Sequence, residues 1–370
     1  MRILTRYLTR EVALATLVVL LALTMLFSFF DLIHELGDLG KGSYRIGGAL
    51  FFVALSMPGH VYELFPIAAL IGALYALSQL ASHSELAVMR VSGLSLAAIG
   101  RALVPIGLLF VVAMLFIGEV VTPVLEKIAQ ETKVRLTESL IAQEFRSGVW
   151  VKDEGSFVNV REVRPGRGGT QLFGIKIYEF DSLYRLKSIS LAREGTYLGH
   201  NRWRMLDVHQ TVFSDTGTSL QSLPEAIWKS VLTPDILAVL LVVPEQMSLS
   251  NLFTYIQHLR DNAQSSTRYE IALWAKLVYP CAALVMLMLA VPFSVSSRRA
   301  GGVGARLLVG ILIGLAFNSA NRLFSSLGQL HGMPAFVSAV LPTLVFLIVA
   351  LGLLYLAERG MLRLPLARRA

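Results

Sequence analysis

The chain has 370 residues, of which 55% are hydrophobic and 16% charged, with a formal net charge of +8 and a mean hydropathy of +0.62. No ordinary soluble domain has that composition, and the apolar residues gather in runs of bilayer-crossing length, so this is an integral membrane protein. Its single cysteine, Cys281, excludes an intramolecular disulfide and any cysteine-built metal site.

Arg2, Arg6 and Arg10 precede an uncharged run from Val12 to Phe30. The run is longer than a signal-peptide core and no small-x-small cleavage site follows, so it reads as a retained first span. Six α-helical spans account for the pattern, near 12–36, 47–81, 102–122, 271–295, 307–329 and 334–356. The second is too long for one straight crossing and contains Pro58 and Pro66, which predicts a kinked helix with an outer preamble. With six spans, Arg2, Arg6, Arg10, Arg90, Arg101, Arg298, Arg299, Arg306, Arg359, Arg363, Arg368 and Arg369 share one face. The short loops opposite offer only Lys41 and Arg45. The positive-inside rule then puts both termini and the 82–101 loop in the cytoplasm. Arginines facing anionic lipid account for the net charge without any nucleic acid.

Between the second and third spans, residues 82–93 read SHSELAVMRVSG. Ser82 and Glu85 have capping-box spacing and Gly93 can supply a left-handed stop, which predicts a short helix half as long as a crossing. Two readings stand. The helix is either an interfacial loop without a partner or a knob seated in a groove of a cytosolic ATPase. In the second case Leu86, Val88 and Met89 would anchor it, with Glu85 and Arg90 setting its orientation by charge.

Residues 123–270 fall on the outer side and change character. GVWVKDEGSFVNVREV (148–163) alternates apolar and polar residues around an Asp153-Glu154-Gly155 turn. FGIKIYEFDSLYRLKSISL (173–191) and NRWRMLDVHQTVFSD (201–215) repeat that period, which argues for an antiparallel sandwich or jelly-roll-like sheet. Helices over 124–143 and 248–262 connect this insert to the membrane. The organisation is therefore 1–122 with three spans, 123–270 as an inserted β domain, and 271–370 with three spans and a basic tail.

No active site announces itself. The seven histidines form no H-E-x-x-H pair, and no G-x-S-x-G elbow occurs. GDLGKGSY (37–44) departs from the spacing of a phosphate loop and lies on the outer face, away from ATP. Uphill transport would thus draw energy from a partner. Polar residues instead collect at the depth of the outer leaflet: Asp31, His34, Glu35, Glu63, Glu119, Lys276, Asn318, Asn321 and Arg322. An arginine at mid-membrane costs about 2.5–3.5 kcal/mol, so Arg322 either faces a partner or wet cavity, or snorkels to the interface. Glu119 and Lys276 read as interfacial anchors.

GKGSY (40–44), GEVVTP (118–123), GVWVKD (148–153) and WAKLVYP (274–280), in this order and topology, resemble the LptF/LptG family of lipopolysaccharide-export permeases. The likeness covers essentially the whole chain, and GEVVTP and GVWVKD bring it nearer the LptG branch. It implies an ABC-type complex in the bacterial inner membrane with an LptF-like permease, an LptB-like ATPase dimer and a membrane-anchored, LptC-like periplasmic protein. Such a complex extracts lipopolysaccharide and passes it to a periplasmic bridge of similar folds. ATP is used by the partner, and no cofactor is expected in this chain. By the resemblance the family's coupling helix falls on 83–92, with its acidic residue on Glu85 beside Leu86, Met89 and Arg90. Family members can carry lysines at the outer end of span one, suited to lipid phosphates, where this chain has Asp31, Gly37 and Asp38. Lys41, Arg45, Lys276 and Arg322 are therefore the expected phosphate contacts, and Val158 and Ile177 the inward positions of a lipid path. The rival readings are an ABC-type permease for another lipid or lipoprotein, and a membrane-anchored periplasmic scaffold or sensor. The sensor is disfavoured because no sizeable cytoplasmic output domain exists.

Overall fold

The computed structural model describes residues 2–137, 149–153, 155–166, 169–181, 185–214, 217–230, 232–233, 244–261, 264–295 and 303–359. The membrane part consists of α1 (Arg2–Leu36), α2 (Ile46–Ser82), the short α3 (Glu85–Val91) and α4 (Leu96–Phe116). A π-helical segment (Ile117–Val121) joins α4 to α5 (Thr122–Thr137). After the insert come α6 (Leu249–Asp261), α7 (Thr267–Val278), α8 (Cys281–Val295), α9 (Val303–His331) and α10 (Ala335–Glu358). Five of the described helices are long and apolar enough to cross a membrane. The pair α7 and α8 passes the same test when taken as one broken span, bent by 54° at Pro280, which has no N–H to continue the ladder.

The third span is the inner part of a longer rod. Residues 96–137 run as 42 helical residues, about 63 Å at 1.5 Å per residue and twice a bilayer core. Its outer part, α5, rises beyond the spans and covers the start of the expected 124–143 helix; residues past 137 lie outside the described set.

The hub is α2. From Leu64 to Leu77 nearly every residue is buried, as expected of a helix that is apolar on all sides. It runs unbroken through Pro58 and Pro66. Against it, α1 lays a stripe at four-residue spacing, Leu8, Val12, Thr16, Leu20, Thr24 and Ser28, all buried. The approach is close: a Cβ on Gly72 would sit 2.5 Å from the Thr16 Cα. On another side Gly310 and Gly314 of α9 admit Leu74 and Ile67, where added Cβ atoms would come within 2.7 and 2.9 Å. Small residues one turn apart let membrane helices meet this way.

The insert is one six-stranded antiparallel sheet in sequence order: β1 (Val149–Asp153), β2 (Ser156–Gly166), β3 (Gly169–Phe180), β4 (Leu186–Gly199), β5 (Arg202–Ser214) and β6 (Gly217–Lys229). The all-β insert expected from the sequence is thus present, and α6 matches the expected return helix. Pairing steps over Arg161, Gly174, Arg193, Asp207 and Pro224, which line up across five strands as a crease. Gly174 and Asp207 have φ of 64° and 56° there. Side-chain alternation resets at the crease, so Leu172 and Ile175, or Met205 and Val208, both point inward although three residues apart. The folded interior centres on Trp203, fully buried, whose Nε1–H donates to the Leu232 carbonyl at 2.8 Å. Strand β6 carries no alternating apolar signal, is mostly exposed and contains Pro224; it is an edge strand among the described residues.

Gly72→Ala should lower stability by about 1–3 kcal/mol through overpacking against Thr16. Gly47→Ala, where nothing lies within 4 Å of the new Cβ, should not. Melting temperatures of the purified variants in detergent check the contrast; equal values would refute the close α1–α2 approach.

Candidate functional site

Two clusters stand out, one at each end of the bundle. At the inner end, α3 spans seven residues rather than the expected 83–92. The capping box does not form. Ser84 is the N-cap in a left-handed conformation, and the Ser82 hydroxyl donates to the Gln79 carbonyl instead. The predicted stop does form: Gly93 has φ 88°, and the N–H groups of Gly93 and Leu94 donate to Arg90 and Met89 carbonyls at 3.0 and 3.2 Å.

The faces of α3 are assigned differently from the sequence expectation. Leu86 is buried in the main apolar core and Met89 packs against it, so both anchor the helix to the spans and not to an outside groove. Val88 and Val91 are 65% and 89% exposed. With Arg90, also exposed, they form the outward face. Glu85 accepts a hydrogen bond from the Tyr7 hydroxyl at 3.0 Å, which ties the start of α3 to α1. Next to α3, Glu358 of α10 accepts from the Ala97 N–H at 3.3 Å.

At the outer end, charges pair across elements. Lys133 of α5 reaches Glu35 at 2.7 Å and Asp38 at 3.0 Å, and lies over the Phe52 ring. The Tyr44 hydroxyl donates to Glu35 at 2.7 Å. Burial and then the Glu35 carboxylate push the Tyr44 phenol upward, so it stays protonated and donates. Lys41 sits 2.6 Å from Asp38; its hydrogen bond, reinforced by Lys133, holds the Asp38 carboxyl below the usual carboxylate range. Arg45 is exposed and makes no ion pair among the described residues. Within the bundle Asp31 pairs with His60.

Arg322 has a partner, Glu63, at 3.4 Å, but its side chain is 76% exposed. Lys276 departs from the expectation of a base open to a phosphate. It is buried, lies 3.6 Å from Glu119 and donates to the Met247 carbonyl. Glu119 in turn accepts the Leu249 N–H of α6 at 2.9 and 3.1 Å. The two residues are a junction, not separate interfacial anchors. The π-helical segment that carries Glu119 shifts the side-chain register of the third span at this level. GEVVTP and WAKLVYP, far apart in sequence, meet there.

Lys133 escaped sequence reasoning, and Glu35 and Asp38 were placed without their partner, because a polar stretch such as ETKVR on an outer helix carries no signal of what it faces. In the sheet, Val158 and Ile177 face inward as expected, but both are buried in a packed interior, at 0% and 5% exposure.

The chain matches the family model "Lipopolysaccharide export system permease LptF/LptG" over residues 6–356. It is similar to the lipopolysaccharide export system permease protein LptG of Haemophilus influenzae, 34% identical over 93% of this chain and 96% of the relative. It is also similar to LptG of Escherichia coli K12, 31% identical over 95% of this chain and 98% of the relative.

Removing Lys276 takes the counter-ion from the Glu119 carboxylate, which keeps the Leu249 N–H and is 33% exposed, so that part of the loss is offset. Lys276→Met should therefore lower stability by about 1–3 kcal/mol, read as a fall in melting temperature in detergent. An unchanged melting temperature would remove this pair from the structural account.

Proposed function

The chain belongs to the LptF/LptG family of lipopolysaccharide export permeases, and from that membership we propose that it is the multi-pass inner-membrane subunit that moves lipopolysaccharide outward. As a transport subunit it draws on a separate, LptB-like ATPase dimer, and it works beside an LptF-like permease and an LptC-like periplasmic protein. Its termini and α3 face the cytoplasm, and the sheet faces the periplasm. Arg6, Arg10, Arg90, Arg101 and Arg359 support this orientation, since the helix ends that carry them meet at one end of the bundle, where Tyr7 contacts Glu85 and Ala97 contacts Glu358. Outward apolar rows on α1 (Leu14, Leu17, Leu21) and α9 (Leu308, Ile311, Leu312, Leu315) are the faces open to the second permease and to lipid.

The observation that carries the reading is the split character of α3. One face is wedged into the spans through Leu86 and Met89, and the other leaves Val88, Val91 and Arg90 exposed. A rigid element with one side in the core and the other bare suits the transfer of a push from a docked ATPase to the helices. The valines supply the desolvated contact and Arg90 the orientation.

At the outer end, Arg45, Arg322 and Lys41 are the bases that meet the lipid phosphates. Arg322 and Lys41 are themselves exposed, each with a single carboxylate partner among the described residues, and such pairs at the surface are weak enough to exchange for a phosphate. Lys276 has no part in this, because its ammonium is held by Glu119 and Met247. If acyl chains enter the sheet, they do so by opening it about the crease, since Val158 and Ile177 are closed off at rest.

The paired substitution Val88→Asp and Val91→Asp should reduce copurification of the ATPase by about tenfold or more, given the roughly 1.4 kcal/mol that each decade represents. Leu86→Asp should instead destabilise the permease itself. Undiminished ATPase association in the valine variant would refute α3 as the docking element.

A further inference from the structure

We propose that α1 is a connecting rod that carries movement of α3 across the membrane to α5, the helix leading to the sheet, with Tyr7 and Lys133 as the positioning residues at its two ends. The proposal rests on the reading that α3 meets the ATPase.

The inner end is tied by Tyr7, whose hydroxyl donates to Glu85, the first residue of α3, at 3.0 Å. The outer end is tied by Glu35, buried and gripped by Lys133 of α5 and by Tyr44. The loop that follows reinforces this end. The Ser43 N–H donates to the Leu136 carbonyl at 2.8 Å. Gly42, at φ 54°, lies so close to α5 that a Cβ would meet the Thr137 backbone at 2.8 Å.

Between the two ties α1 is built to transmit and not to bend. Its sequence from Arg2 to Leu36 contains neither glycine nor proline, the usual causes of a kink. Tyr7 and Glu35 lie about 42 Å apart along the axis. At three levels the seam with α2 lacks polar ties: Thr16, Thr24 and Ser28 are buried there, yet among the described residues their hydroxyls find no hydrogen-bond partner. The Asp31–His60 pair lies one turn from Glu35 and so belongs to the fastened end. A helix held at both ends by polar contacts and along its length by apolar contact can shift as a unit.

The test uses the assembled complex in proteoliposomes, with Tyr7→Phe, Lys133→Met and the double variant. Two quantities are read, ATP hydrolysis and lipopolysaccharide released per ATP. Each single variant should lower release per ATP by about fivefold or more, the scale of a typical coupling between sites, while hydrolysis continues. The double variant should be no worse than the worse single, because either cut disables the same rod. Sites this far apart are ordinarily independent, so losses that multiply in the double variant would overturn the proposal, as would single variants of wild-type efficiency. If Lys133→Met does not assemble, the reversed pair Lys133→Glu with Glu35→Lys replaces it. Recovered efficiency relative to Lys133→Glu alone supports the tie, and an assembled complex without recovery overturns it. Failure of the docking reading itself would show separately, as unchanged ATPase association in the Val88 and Val91 variant.

Discussion

A bilayer has little water to satisfy an ion, so every charge the chain carries into it needs a partner from another element. That constraint organises the outer half of this protein. Glu35 meets Lys133, Asp31 meets His60, Glu63 meets Arg322 and Glu119 meets Lys276. Each pair joins different helices, and two of them fasten the helices that enter and leave the sheet domain. Once these partners are matched, the outer ends of the bundle are fixed relative to the base of the insert.

The inner half is held differently. There the contacts are apolar and centre on α2, and the short α3 is attached by Leu86, Met89 and one hydrogen bond from Tyr7. An inner end held by packing and an outer end held by ion pairs divide the labour. The first can shift by small rearrangements of apolar side chains, and the second hands that shift on to the base of the insert without coming apart.

Much of this was legible in the sequence, and the reasons differ from element to element. The spans could be read because a bilayer imposes length and composition, and β1 to β5 because half-buried strands alternate. Strand β6 could not, since an edge strand exposed on both sides needs no alternation and tolerates Pro224. The faces of α3 were misassigned because Leu86, Val88, Met89 and Val91 give it apolar residues all round, and only the neighbouring spans decide which side is buried. The capping box was a spacing without the backbone to use it: Ser84 turns left-handed and takes the N-cap place. The ion pairs were invisible as pairs, because Glu35 and Lys133 are 98 residues apart and Glu63 and Arg322 are 259 apart. Depth could be read from position along a span, but partnership could not, and so Lys276 looked free.

The most direct test of the account is the identity of the lipid that stays with the assembled complex, determined by native mass spectrometry. The wild-type complex should retain lipopolysaccharide, and the triple charge reversal Lys41→Glu, Arg45→Glu and Arg322→Glu should lose most of it while remaining assembled. Ordinary phospholipid alone in the wild-type complex, or lipopolysaccharide undiminished in the triple variant, would contradict the account.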